Sequence, residues 1–230
     1  MKKLIAIMII LATIFVVMII HKNSVINNNN NVNIQEINEI ETYINKIYMW
    51  KEITQESLPC FEDINSANDK WIWEVVKKNL EDYELSYETI EEKAKELFGD
   101  DFNKHFPKNG VDYLIYDEQK DKYYPKGRGL DEKEDSFLLN KIERIKDGYE
   151  VEIVEYLEDY SNVTSKENDS IVIENIKEEK VGKIKSLEED MVRDFIKNNI
   201  DKFTKKKIII YRDETKDINK RCFVKSVQEV

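Results

Sequence analysis

The 230-residue sequence predicts an α+β domain in which helices come first and antiparallel strands follow. Before Gly110, apolar residues recur at helical spacing, as in Ile37, Ile40, Ile44 and Ile47. After Gly110, apolar and polar residues alternate with a period of two, which is typical of strands. Helices followed by strands with hairpin links favour the α+β class over a βαβ series.

Two helices are expected first. One begins at Ile34, and its isoleucine stripe would pack on a domain core or, as an alternative, start a coiled coil. Pro59 and the polar residues after it interrupt the helical region. Trp71 and Trp73 lie two positions apart in the second helix, so one is expected in the core and the other at the periphery. The apolar face of this helix is expected to consist of Ile72, Val76, Leu80 and Tyr83.

The third helix has clear signals at both ends. Ser86 can cap its N-terminus, and Glu88 adds favourable negative charge to its first turn. Gly99 can supply the left-handed residue that ends many helices. The buried face is expected to consist of Ile90, Ala94, Leu97 and Phe98.

Three strands are expected in the middle of the chain, over Val111–Tyr116, Phe137–Lys146 and Tyr149–Tyr160. Asp147-Gly148 is a strong signal for a hairpin between the last two. In the last strand, the apolar residues change face between Ile153 and Val154. Either both faces of this strand are covered, or a β-bulge bends it.

The C-terminal third is expected to contain two strand pairs around one helix. The pairs span 170–177 with 181–187 and 207–212 with 221–227. Ser186 and Glu189 have the spacing of a capping box, at which the helix would begin. Lys205, Lys206 and Lys207 are interpreted as charges that protect the following apolar strand from edge pairing. The helix face is expected to consist of Val192, Phe195, Ile196, Asn199 and Phe203.

This element order resembles the NTF2-like, or cystatin-like, architecture, which implies N-terminal helices packed on a curved antiparallel sheet. The segments SYETIEEKAKELFGDDFNKHFP, YYPKGRG and DGYEVEIVEY, within residues 86–160, also resemble uncharacterised membrane-anchored proteins of Gram-positive bacteria with AT-rich genomes. The many Asn, Lys and Ile residues fit such a genome. This second resemblance implies membrane anchoring and names no activity.

The first 22 residues predict a transmembrane anchor. Residues 4–20 are apolar except for Thr13, and as a helix they would reach about 26 Å, at the short end of a bilayer span. The residues that follow fit signal peptidase poorly, so an uncleaved anchor is favoured over a cleaved signal peptide. Lys2 and Lys3 favour a cytoplasmic N-terminus. We therefore expect a single-pass protein of the cell membrane with its C-terminal domain outside the cytoplasm.

Residues 23–33, with five consecutive asparagines, predict a flexible linker to a domain over residues 34–230. Three of the 36 Lys and Arg lie in the first 22 residues, where there is no acid, so 33 bases accompany 47 acids in residues 23–230, a formal charge of −14. This charge repels nucleic acids and anionic lipid headgroups. A basic protein, a cation or a neutral ligand remains open as a partner, and solubility alone also explains an acidic surface.

The two cysteines are expected to be separate thiols. An oxidising exterior would permit a disulfide between Cys60 and Cys222, which is the alternative. However, Cys60 follows Pro59 in an expected turn, whereas Cys222 lies in an expected strand.

No motif for catalysis, cofactor binding or metal binding occurs in the sequence. The patterns of zinc proteases, α/β-hydrolases, P-loops and dinucleotide-binding folds are absent. Asp213 and Asp217 lack the spacing of a calcium loop. His105, near Asp100 and Asp101, could be a general base or a metal ligand with those acids, but a plain loop histidine is the favoured interpretation. We therefore expect no cofactor, no metal and no enzymatic activity.

The segment YYPKGRG is the candidate interaction loop. It places Tyr123, Tyr124, Lys126 and Arg128 together in a strongly acidic domain. Tyrosine and arginine frequently anchor protein interfaces. The alternative is a turn whose tyrosines pack back on the sheet.

These patterns predict a membrane-anchored binding or accessory module for a protein or cell-envelope partner. The alternative is a small-ligand-binding or enzymatic domain with a cavity between the helices and a curved sheet, in which His105, aided by Asp101, would be the base. A structural role, in which the first helix self-associates beside the membrane, is the third possibility.

Overall fold

A computed structural model describes residues 32–126, 133–161, 170–185, 188–218 and 220–230. Within these ranges no helix has the length and apolar character that crossing a membrane requires. The expected membrane span over residues 4–20 lies outside the described residues, as does most of the expected linker.

The described residues form helices first and antiparallel strands second, so the α+β class is confirmed. The helices are α1 (Ile34–Ile47), α2 (Lys51–Thr54), α3 (Asp69–Lys78), α4 (Tyr87–Phe98) and α5 (Glu189–Asn198), with 3-10 helices at Ile64–Ser66 and Ile200–Lys202. The strands are β1 (Gly110–Val111), β2 (Leu114–Asp117), β3 (Lys122–Pro125), β4 (Lys133–Ile145), β5 (Gly148–Asp159), β6 (Ile171–Glu174), β7 (Lys180–Ile184), β8 (Thr204–Arg212) and β9 (Cys222–Glu229).

Strand β5 is the centre of the larger sheet. It pairs with β4 along one edge through the expected hairpin at Asp147-Gly148. On its other edge it pairs first with β8 and then, from Leu157 to Asp159, with β6. Strands β7 and β9 continue the sheet beyond β6 and β8, and every pairing is antiparallel. Strands β1, β2 and β3 form a separate small sheet.

Both faces of β5 are buried, which explains why its apolar residues change face. Val151 and Ile153 pack in the core beneath the N-terminal helices. Val154 and Tyr156 pack on the opposite face in a second core, to which α5 contributes Val192 and Ile196. A β-bulge is also present, but it lies in the partner strand β4, where the pairing shifts between Leu139 and Lys141.

The helix signals near the N-terminus are confirmed. The isoleucine stripe of α1 is fully buried in the core, so it packs within the domain rather than in a coiled coil. Ser86 caps α4 by accepting a hydrogen bond from the backbone N–H of Thr89 at 3.1 Å. Gly99 ends α4 with a φ of 94°. The expected face of α4 is buried at Ile90, Ala94, Leu97 and Phe98.

The expectation for the two tryptophans of α3 is wrong, because both are buried. Trp71 packs on Phe98 of α4, as a core residue should. Trp73 is covered by the loop after α4, which presses Phe102 and Phe106 edge-on against its ring. Helix α3 therefore contacts aromatic residues on two sides.

Other local expectations also need correction. Val111–Tyr116 is not one strand, because a turn at residues 112–113 separates β1 from β2. Helix α5 begins with Glu188 as its N-cap and no side-chain capping bond, while Ser186 lies outside the described residues. Lys205, Lys206 and Lys207 do not protect a sheet edge, since β8 lies between β5 and β9.

A buried carboxylate ties the start of α1 to the sheet. Glu36 accepts hydrogen bonds from Tyr149 Oη at 2.8 Å, from Arg212 Nη1 at 2.9 Å and from Arg144 Nη2. It also closes a capping box with Asn33. Burial alone would raise the pKa of Glu36, but the hydrogen bonds from Asn33, Tyr149 and Arg144 hold that pKa below its ordinary value. The charged form of Glu36 therefore stabilises the fold.

We expect Glu36→Gln to lower the free energy of unfolding by about 1.5–3 kcal/mol at neutral pH, because the hydrogen bonds from Arg144, Arg212 and Tyr149 lose their charged acceptor. Arg212 keeps Glu39 and Glu214 as counter-charges. Since folding lowers the pKa of Glu36, its stabilisation is complete above its unfolded pKa of about 4.5 and is lost as the pH falls through the lower folded value. Urea unfolding from pH 7 to pH 3 measures this difference. Glu92→Gln, on the exposed side of α4, is the control and should have little effect. If the difference in free energy of unfolding between the wild type and Glu36→Gln were the same at pH 3 as at pH 7, the role of the charge would be contradicted.

Candidate ligand-binding cleft

An open cleft of about 720 Å³ lies between the segment that follows α1 and the larger sheet. Its volume is within the usual range for small-molecule sites, roughly 300–1,000 Å³. Nine of the twelve residues that line it are polar or charged. The lining residues are Lys51, Gln55, Glu56, Ser57, Pro59, Cys60, Ser66, Asn68, Glu155, Ile176, Lys206 and Glu229.

The floor of the cleft holds a buried ion pair. Lys206 on β8 and Glu155 on β5 are only 3% and 1% exposed, and Nζ of Lys206 lies 3.2 Å from Oε2 of Glu155. The two residues are diagonal neighbours on adjacent strands, because Glu155 is opposite Thr204 in the register. Lys206 also donates a hydrogen bond to the carbonyl oxygen of Leu58 in the cleft wall. A buried pair of this kind stays charged because each partner compensates the other.

The carboxylate of Glu155 is incompletely hydrogen-bonded. Burial raises its pKa, and the ammonium group of Lys206 opposes that rise. Its Oε2 atom receives no hydrogen bond with acceptable geometry from the described residues, although Lys206 is close. The ammonium group of Lys206 therefore compensates this oxygen through its charge rather than through a well-oriented hydrogen bond.

The cleft wall is fastened to the sheet at several points. Asp135 on β4 accepts hydrogen bonds from the backbone N–H of Lys51 at 2.9 Å and from Oγ of Ser57 at 2.8 Å. Further along the wall, Phe61 and Val227 of β9 exchange two backbone hydrogen bonds of 2.9 Å. The wall is therefore held on the sheet at two places, which favours a preformed site.

Cys60 lies in the cleft, whereas Cys222 is buried elsewhere in the core. Neither forms a disulfide, so the expectation of two separate thiols is confirmed. Desolvation raises the pKa of Cys60, although Lys206 opposes the rise, and burial raises the pKa of Cys222 to about 11. Neither thiol has the lowered pKa of a catalytic cysteine. Since only Cys60 is exposed, a thiol reagent can report on the cleft.

The structure does not bring His105 and Asp101 together as a catalytic pair. The side chain of His105 is 79% exposed, and its Nδ1 lies 3.1 Å from Glu91 on α4. Glu91 also accepts a hydrogen bond from the backbone N–H of Phe106, so it fixes the loop after α4. Asp101 instead lies 3.3 Å from Lys225. His105 is thus a surface loop residue, and it lies outside the cleft.

The candidate interaction loop is divided between core and surface. Tyr123 is buried, and its hydroxyl donates to the carbonyl oxygen of Lys108 at 2.8 Å, so it packs in the core. Tyr124 lies opposite Ile115 in the small sheet, and its ring is 5.6 Å from that of Tyr83. Lys126 is exposed, while Arg128 lies outside the described residues.

Two exposed residues near Tyr124 had no distinguishing signal in the sequence. Tyr83 is 70% exposed and Ile115 is 51% exposed. The sequence pattern assigned Tyr83 to a buried helix face and Ile115 to an ordinary strand. Together with Tyr124 they form a surface that we call the aromatic patch.

Sequence reasoning gave a cavity between the helices and the sheet as its alternative, but it missed the residues that line this cleft, although one signal was present. Glu155 shares its strand face with Val151, Ile153 and Leu157, and an acid among apolar residues indicates a buried charge that needs a partner. Lys206 was interpreted as an exposed edge residue because it lies within a run of lysines.

Comparisons of the chain with protein-family models, with curated proteins and with solved structures find no match. What the protein binds must therefore be inferred from its own residues. Within the described ranges, His, Cys, Asp and Glu side chains form no group of three or more that could hold a metal ion.

We expect Lys206→Met to lower the free energy of unfolding by about 3–5 kcal/mol, because it leaves Glu155 as an unpaired buried charge. Lys205→Met, the same change on the opposite face of β8, is the control and should cost far less. The double variant Glu155→Gln/Lys206→Met should recover part of the loss, since it removes both charges. Chemical unfolding measures all three. Equal effects of Lys206→Met and Lys205→Met would contradict the importance of the ion pair.

Proposed function

We propose that this chain is a single-pass membrane protein whose extracytoplasmic domain is a binding module, and that the module holds a small ligand in the cleft. The observation that carries the proposal is the open cleft with the buried pair Lys206 and Glu155 in its floor. A buried ion pair beside open volume offers fixed charges that can orient a ligand. The apolar residues 4–20 support the anchor.

Binding is a better proposal than catalysis because of the chemistry in the cleft. Lys206 and Glu155 largely neutralise each other, and Lys206 is further held by the carbonyl oxygen of Leu58. The raised pKa of Cys60 disfavours the thiolate that a nucleophile requires. These groups suit recognition of a polar ligand.

The position of the cleft also supports the NTF2-like architecture that the element order resembles. A site between N-terminal elements and an antiparallel sheet is what the NTF2-like resemblance implies for this chain. The β-bulge in β4 favours a bent sheet, since a bulge increases local twist and bends its strand. The helix α5 on the other face would be an addition to that architecture.

A second candidate function is favoured by the aromatic patch of Tyr83, Ile115 and Tyr124. Exposed aromatic and aliphatic side chains that lie together often mark sites of protein contact. Lys126 lies two residues after Tyr124 and is exposed. Two residues of the expected interaction loop therefore lie at or beside the aromatic patch. The patch could contact a protein or cell-envelope partner, and this role is compatible with a ligand in the cleft.

To test the cleft, we would screen small polar compounds against the full chain in detergent and measure the alkylation rate of Cys60 by mass spectrometry. A cleft ligand should slow this reaction by about tenfold when it is present at ten times its Kd, because bound protein shields the thiol. In a Cys60→Ser background, a cysteine placed by Glu92→Cys on the exposed side of α4 is the control, and its rate should not change.

The proposal is wrong if no compound protects Cys60, and the aromatic patch is then the better candidate site. A compound that slows both cysteines equally acts on the reagent or the micelle and is discarded.

To test the anchor, we would fuse a reporter that is active only outside the cytoplasm after Val230. We expect an active, membrane-bound reporter, because Lys2 and Lys3 favour a cytoplasmic N-terminus. Deletion of residues 4–20 should leave the reporter inactive in the cytoplasm. Recovery of the mature chain from the medium without residues 1–22 would favour the cleaved signal peptide and contradict the anchor.

A further inference from the structure

We infer that the aromatic patch binds a basic segment of a partner protein through an arginine side chain. This inference rests on the second candidate function, contact through the patch, and adds the chemistry of the partner. The groups concerned are the side chains of Tyr83 and Ile115 and the carboxylates of Glu81, Asp82 and Glu84, which we call the acidic loop. None of these residues lines the cleft.

The aromatic patch presents apolar surface that the described residues leave exposed. The exposed fractions of Tyr83 and Ile115 are 70% and 51%. Ile115 is opposite Tyr124 in the pairing of β2 with β3, so their side chains share one face of the small sheet. The rings of Tyr83 and Tyr124 meet edge to face, with their centres 5.6 Å apart. Exposed aromatic side chains that lie together are typical anchors of protein interfaces.

The loop that follows α3 is held against the small sheet, so the patch is preformed. Leu85 and Tyr123 exchange backbone hydrogen bonds of 3.0 Å and 2.9 Å, and Leu85 is buried. Beside this bridge, the hydroxyl of Tyr124 donates to Oε1 of Glu84 at 3.2 Å. A preformed surface loses little conformational entropy when a partner binds.

The acidic loop gives the patch a negative charge. Glu81, Asp82 and Glu84 are all exposed, and none of them forms an ion pair with another described residue. Residues 79–86 contain three acids and no base, and residues 110–126 contain four acids and three bases, so these two segments carry a formal charge of −4. The charge beside the patch is thus complementary to a basic partner.

The tyrosine rings add an observation that is independent of this acidity. Nζ of Lys77 lies 5.0 Å from the ring centre of Tyr113, and Nζ of Lys120 lies 5.2 Å from that of Tyr124. Tyr83 is more exposed than either ring, and no cation of the described residues lies over it. Its face is therefore open to a cation that a partner supplies.

Arginine fits these groups better than lysine does. Its planar guanidinium group can stack on the ring of Tyr83 while its N–H groups bind a neighbouring carboxylate, and it is more weakly hydrated than an ammonium group. Its aliphatic stem can pack on Ile115. The strongly acidic domain also attracts a basic partner over a longer range and repels an acidic one.

The experiment measures how short fluorescent peptides of equal length bind to the full chain in detergent, by fluorescence anisotropy. The peptides repeat Gly-Arg, Gly-Lys, Gly-Ser or Gly-Glu, so they differ in charge and in the cationic group. We expect the Gly-Arg peptide to bind about threefold more tightly than the Gly-Lys peptide, because only a guanidinium group stacks well on the ring. The Gly-Ser and Gly-Glu peptides should not bind.

One set of variants tests the ring. Tyr83→Ala should raise the Kd of the Gly-Arg peptide by about fivefold, whereas Tyr83→Phe, which keeps the ring, should leave it nearly unchanged. Tyr211→Ala removes an exposed ring of β8 and is the control. Circular dichroism checks that each variant is folded, which is expected because the ring of Tyr83 is mostly exposed.

A second set tests the carboxylates. Glu81→Gln/Glu84→Gln should raise the Kd of the Gly-Arg peptide by about fivefold, since it removes two exposed charges beside the ring. Glu56→Gln/Glu229→Gln makes the same change in net charge at the cleft and is the matched control. Equal effects of the two double variants would overturn the role of the acidic loop.

Other outcomes overturn the partner class. Equal binding of the Gly-Arg and Gly-Lys peptides that Tyr83→Ala does not weaken would indicate only a general attraction to an acidic surface. If Tyr83→Ala abolishes binding of the Gly-Ser peptide, or of an N-acetylglucosamine oligomer, the partner is neutral, so the inference is wrong and the contact function of the patch stands.

If no probe binds, the inference is also wrong. A photo-crosslinking residue in place of Ile115 then tests the contact function in cells. Failure to capture any partner would refute that function too. The alkylation of Cys60 is a separate measurement, so neither result decides whether the cleft holds a ligand.

Discussion

The rest of the structure depends on strand β5, which is buried on both faces and hydrogen-bonded on both edges. A strand in this position needs cover on four sides. Strand β4 supplies one edge, and β8 followed by β6 supplies the other. The N-terminal helices cover one face and α5 covers the opposite face. The two halves of the chain are thus joined through one central strand.

The same strand explains why a polar site exists inside this fold. β5 carries Glu155 on its helix-facing side, where a lone carboxylate would be unstable. Lys206 on β8 compensates it with the opposite charge, and the pair is almost fully buried. The neighbouring wall is polar too, and Asp135 fastens that wall to the sheet. The cleft therefore lies beside a charged pair of the sheet.

Charged groups also determine how the N-terminal helices meet the sheet. Glu36 binds Arg144 of β4 and Arg212 of β8, so the start of α1 is fixed to the end of the sheet at which these two strands flank the start of β5. Glu39 lies one turn further along α1 and binds Arg221 at 2.7 Å. The acidity of the domain is thus partly structural, since some carboxylates hold arginines of the sheet and of the segment before β9. Other carboxylates, such as Glu56 and Glu229, are exposed at the cleft and are available to a ligand.

Local signals in the sequence determined the elements, whereas the tertiary structure alone decided the site. The stripe of α1, the Ser86 cap and the Asp147-Gly148 hairpin were predictable because each depends on residues within one or two turns of each other. Glu155 and Lys206 meet only because β5 and β8 pair in a particular register. The burial of Trp73 likewise depends on a loop that folds back over α3. Periodicity and capping depend on neighbouring residues, but burial and charge pairing depend on what the rest of the chain brings close.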